Sequence, residues 1–204
     1  MTLIDLPAFA EPMARQLALF IHLIAFAFSF VLVVEADLAM LKSRYANGGR
    51  DLRADAHRVA MLLVVLWVTG VALIGMGPGF DLEAIVGNAK ITAKLTVVSV
   101  LTLNGVLLHI YAFPVFAQDG ASISPIKVTA CSILGAVSSV SWFCASLFGV
   151  SRIIAPSLHY QAYIGFYLLA LAIGIVMSLL VVRPRLQQFL NSPLHVTGSA
   201  VQAA

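Results

Sequence analysis

The sequence predicts an all-α, polytopic membrane protein, a bundle of five transmembrane helices with its N-terminus outside and its C-terminus in the cytoplasm. Three observations predict this. Of the 204 residues, 61% are hydrophobic and only 10% are charged, against about 25% charged in an ordinary soluble domain. The charges are also clustered: no Asp, Glu, Lys or Arg occurs in Gln16–Val34, Val59–Phe80, Leu95–Gln118, Val128–Ser151 or Ile153–Val182. Each run is long enough to cross a hydrocarbon core of ~30 Å at ~1.5 Å rise per residue. Finally, the bases are uneven between alternate loops, and that bias sets orientation. Lys42, Arg44, Arg50, Arg53, Arg58, Lys127, Arg183 and Arg185 fall on one side, and Arg15, Lys90 and Arg152 on the other with Asp81 and Glu83.

Residues 1–14 read as a short outer tail. The first apolar run does not read as a cleaved signal: Asp5 and Glu11 precede it, Arg15 is the one nearby base, and no small-residue cleavage pattern follows. One transmembrane domain then covers 15–182, with helices over about 15–42, 56–75, 89–113, 126–150 and 158–182. The loop "SRYANGGRDLRADAH" is polar with a Gly-Gly turn signal. "GMGPGFDLEAIVGN" is rich in Gly and Pro and folds back along the outer surface. Pro114 and Pro156 disfavour helix where the third helix ends and before the fifth. Residues 183–204 read as a cytoplasmic tail.

Cys131 and Cys144 lie on one helix, ~20 Å apart along its axis, too far for an internal disulfide. They read as packing residues. Small residues recur in "CSILGAVSSVSWFCAS", which suits close helix approach in lipid. The chain has no GxxxxGK[ST], GxGxxG, CxxC or HExxH pattern. The basic loop is a topology signal, and no nucleic-acid partner is expected.

Ionisable groups inside a span are costly and usually face the bundle interior or a cavity. His22, Glu35 and Asp37 on the first helix and Lys94 and His109 on the third are such groups, with His57 and His159 at helix ends. Topology puts His22, Lys94 and His159 in an outer layer, and Asp37, His57 and His109 in an inner one. The same separation, fifteen residues, divides His22 from Asp37 and Lys94 from His109. At ~100° per residue it returns to within ~60° of its start, ~22 Å down the axis. Each helix thus carries one polar group above another on a broad face. Glu35 falls on a different face. Lys94 either faces His22 or snorkels outward, and the helix pattern leaves that open.

Histidines from neighbouring apolar helices suit the axial positions of a b-type haem, whose iron makes His22 and His109 the candidate metal ligands. His22, Lys94, His159, His109 and His57 are the candidate cofactor-binding residues. Lys90, Lys94, Arg152 or Arg58 would meet haem propionates. The six methionines form no thioether cluster, which argues against a soft Cu(I) site.

"LALFIHLIAFAFSFVLVVEADL" and "NAKITAKLTVVSVLTLNGVLLH" resemble the first and third helices of the HemJ-type protoporphyrinogen oxidases and of the CopD-type copper-resistance membrane proteins. "RVAMLLVVLWVTGVALIG", with its Thr-Gly step, is similar to the CopD-type second helix. The likeness covers about 15–110. It implies that His22 and Lys94 are the functional, catalytic pair, associated with b-type haem and porphyrinogen oxidation.

Three functions follow as expectations. The first is a multi-pass inner-membrane protein that binds b-type haem and acts in redox or electron transfer, with a redox partner or quinone. The others are a copper or small-solute transporter and a non-catalytic accessory membrane subunit. The bilayer is the partner common to all three, and a homo-oligomer is compatible with each.

Overall fold

The computed structural model describes residues 6–41, 52–112, 115, 124–151 and 158–190. The loop bases Lys42, Arg44 and Arg50, and also Arg152, Pro114, Pro156 and residues 191–204, lie outside them.

All elements among the described residues are helical. Helix α1 is Leu6–Leu41, α2 is Leu52–Gly75, α3 is the short Leu82–Gly87, and α4 is Ala89–Leu107, extended by a π turn over Leu108–Ala112. Helix α5 is Pro125–Val150, and α6 is Tyr160–Met177. A second π turn over Ser178–Val182 leads into α7, Arg183–Leu190. Helices α1, α2, α4, α5 and α6 are long and apolar enough to cross a membrane.

Three boundaries differ from expectation, and one of them is the start of α2, which begins at Leu52 rather than about 56. Helix α1 starts at Leu6, so most of the expected outer tail is helical. Pro7 sits in the first turn, where no N–H donor is needed, and Pro12 costs one internal bond without ending the helix. At the other end, helix continues through 183–190. The π turn at Ser178–Val182 adjusts the register there, and Leu186 buries against Ala112, Val115, Val128 and Cys131. Burial of that one side holds a polar segment in helix.

The Gly-rich loop between α2 and α4 is also more ordered than its composition suggests. Gly79 takes a positive φ of 72°, open to Gly at little cost. Asp81 then caps α3 by accepting from the Glu83 N–H, and Asn88 caps α4 by accepting from the Ile91 N–H.

The long helices form two groups. Helices α1 and α2 pack as one antiparallel pair, with Ala25 and Leu66 in a shared cluster. Helices α4, α5 and α6 form the other, around Ala93, Val97, Cys144, Phe148, Tyr163 and Tyr167. Polar bonds pin this trio: Asn104 donates to the Leu134 carbonyl at 3.0 Å, and Ser178 to the Ser132 carbonyl at 2.8 Å. Tyr167 donates to Ser141, whose own proton goes to the Val137 carbonyl. Away from water each such group needs a protein partner. Cys131 and Cys144 are free, buried, and in separate clusters.

The seam between the groups is narrow. Helix α1 meets α5 where Phe26 tilts against Trp142, with ring centroids 5.8 Å apart. Helix α2 packs chiefly on α1 and is not close-packed on α4. The outward surface is strongly apolar, and only 11–28% of the most apolar stretch of each long helix is buried.

Helix α6 lies so close to α5 at Gly174 that a β-carbon there would strike the Val140 side chain. Gly174→Ala is expected to destabilise the protein by about 1–3 kcal/mol, read as a lower thermal midpoint in detergent. Gly165→Ala, on the same helix with open space around it, should leave the midpoint unchanged or raise it.

Candidate functional site

Polar side chains gather at two levels, one towards the α2–α3 turn and one towards the π turn of α4. At the first level His22 is half-buried on α1, and its Nδ1 lies 2.8 Å from Thr69 Oγ1 on α2. The Thr69 hydroxyl has one proton, and its 2.7 Å contact to the Val65 carbonyl takes it, because a carbonyl only accepts. His22 Nδ1–H is therefore the donor to Thr69, and Nε2 carries the ring's lone pair. Gly70 makes room for this: a β-carbon there would sit 3.7 Å from His22 Cε1. Lys94, half-buried on α4, lies within electrostatic reach of the same ring. Helices α1 and α4 are not close-packed, so the long lysine stem provides that approach. Lys90 donates to the Gly149 carbonyl at 3.4 Å in the last turn of α5, where a cation suits the helix dipole.

The second level surrounds a cavity of about 480 Å³ between α2 and α4, floored by α1 and α5. Asp37 on α1 lines it and accepts from Ser139 on α5 at 2.6 Å. Asp55 on α2 lines it too, only 4% exposed, with the exposed Arg58 guanidinium 3.3 Å away. His109, in the π turn of α4, lines the same space and donates from Nδ1 to the Gly105 carbonyl at 2.9 Å. Trp67 and Trp142 line it deeper in, and Trp67 donates to Thr102 at 3.0 Å across the α2–α4 gap.

The expected residues therefore separate. Lys94 is within electrostatic reach of His22, and Asp37 and His109 line one cavity. His159 is exposed at the start of α6, makes no side-chain capping bond, and sits on a helix packed against α4 and α5. His57 is exposed, and its neighbours Asp55 and Ala56 line the cavity instead, because each residue turns ~100° around the helix. Glu35 is exposed. His22 lies at the level of Lys94, which is ~22 Å from His109 along α4, so the two histidines cannot share a metal ion. Among the described residues no group of three or more His, Cys, Asp and Glu side chains is placed to hold one.

Sequence reasoning missed Asp55, Thr69, Ser139 and both tryptophans. Asp55 had a usable signal, an acid three residues before Arg58 at a helix start. Thr69 had a weaker one in its Thr-Gly step. Ser139 had none that set it apart from its neighbouring serines. Comparison with protein families, curated proteins and solved structures finds no match for this chain.

Thr69→Val keeps the shape and removes the oxygen that receives the His22 proton. The expected cost is about 1–3 kcal/mol, the usual penalty for a buried donor left unpaired. Thr69→Ser should recover most of it. Thermal unfolding of the three proteins in one detergent checks this.

Proposed function

We propose that this chain is a multi-pass protein of the cell inner membrane that binds b-type haem through His22 and acts in redox chemistry. The membrane placement rests on five long apolar helices with apolar outward surfaces, a composition that water does not favour. The loop bases favour an N-terminus outside and a C-terminus in the cytoplasm.

One observation carries the haem reading: the hydrogen bond that holds His22 Nδ1 on Thr69 and leaves Nε2 as the lone-pair nitrogen. A ligating histidine is usually fixed in this way through its other nitrogen. The Lys94 ammonium, within electrostatic reach of the ring, offers a propionate its counter-charge. His22 would hold the iron, Lys94 would hold a propionate, and Thr69 would orient the imidazole. The haem, when bound, supplies one-electron chemistry. The same two residues are the pair implied by the likeness to the HemJ-type first and third helices.

The test is the visible spectrum of detergent-purified protein, oxidised and reduced, from cells supplied with haem. A Soret band with stoichiometric iron is expected, lost in His22→Ala and kept in His57→Ala. Lys94→Gln should keep the band and lower the midpoint potential, since removing a nearby cation favours the ferric form. Protein without bound haem, or a spectrum untouched by His22→Ala, would sink the reading.

A further inference from the structure

The cavity between α2 and α4 is not needed for the His22 site, and its walls specify a ligand of their own. Its volume of about 480 Å³ falls within the ~300–1,000 Å³ of small-molecule sites. Its lining is mostly apolar, and Asp37, Asp55 and His109 supply its ionisable groups at the end of the bundle where α1 and α4 finish and α2 begins. Its rim includes Val64, Val106 and Ile110, each more than half exposed on the apolar exterior. A ligand enters there sideways from lipid.

The chemistry of the polar end narrows the class. Two carboxylates accept hydrogen bonds and repel anions. Fatty acids and haem propionates are therefore disfavoured, and a head group with hydroxyl donors is favoured. Trp67 and Trp142 offer flat apolar surfaces for a ring. Gly105 and Gly135 contribute bare backbone to the walls, and a β-carbon at either would meet nothing within 4 Å.

We infer that this crevice binds a lipid-soluble dihydroxybenzene, a quinol, with its ring against the two indoles and a hydroxyl donating to Asp37. The inference takes from the proposed function only the membrane placement of the helices. Haem at His22 is not required for it.

The chain has two tryptophans, and both line the crevice, so intrinsic fluorescence reads occupancy directly. The protein is placed in lipid nanodiscs and titrated anaerobically with a decyl-substituted benzoquinol. Saturable quenching is expected, with binding about tenfold tighter than for the oxidised quinone, whose carbonyls cannot donate to carboxylates. Gly135→Leu should abolish the saturable phase by filling the crevice. Leu is a better helix former than Gly, so helicity and thermal midpoint should hold, and Gly105→Leu should block binding from the opposite wall. Asp37→Asn, which can still accept from Ser139, should weaken quinol binding about tenfold. His22→Ala should leave the titration unchanged, so failure of the haem reading and failure of this one are separable. Quenching that never saturates, or that survives both glycine variants, overturns the site. Equal affinity for quinol and quinone, or displacement by a fatty acid of matching chain length, overturns the assigned ligand class.

Discussion

The narrow seam between α1 and α5 is the contact on which the rest of the arrangement depends. Phe26 against Trp142 and Ser139 on Asp37 are its clearest contacts. Through it the α1–α2 pair hangs on the α4–α5–α6 trio. Because α1 occupies the junction, α2 is held off α4, and the gap between them becomes the crevice. Trp67 on Thr102 bridges that gap with a hydrogen bond rather than with close packing. Had α2 packed on α4 directly, Asp55 and His109 would have no shared space.

Polar groups in this bundle pair across helices because little else is available to them. His22 with Thr69, Asn104 with the Leu134 carbonyl, Tyr167 with Ser141 and Ser178 with the Ser132 carbonyl are each such a pair. Each fixes the rotation of one helix against another, which apolar packing between similar side chains specifies only weakly. The two levels are organised differently. The His22 level orients one imidazole and brings one cation near it. The Asp37 level arranges acids and a histidine around an open volume. The first suits holding a group in place, and the second suits admitting a molecule from the side.

The sequence by itself determined the five long helices, because a charge-free apolar run must satisfy its own backbone hydrogen bonds wherever water is scarce. It also determined the height of each ionisable residue along its helix, since that follows from rise per residue alone. That is why Asp37 and His109 could be assigned to one level, and His22 and Lys94 to another, before any contact was known. The fifteen-residue repeat on two helices was readable for the same reason.

Only the tertiary structure decided which neighbours those groups meet. Thr69, Ser139 and Asp55 became partners through the relative rotation and splay of whole helices, and no local periodicity encodes that. His57 and His159 shared the expected depths yet face outward, because depth fixes height and not direction. The crevice belongs entirely to this level, being the space left when α2 leans on α1 and away from α4. The fold's parts were thus written in local hydrophobicity, whereas its sites arise from how nearly featureless helices settle their angles against one another.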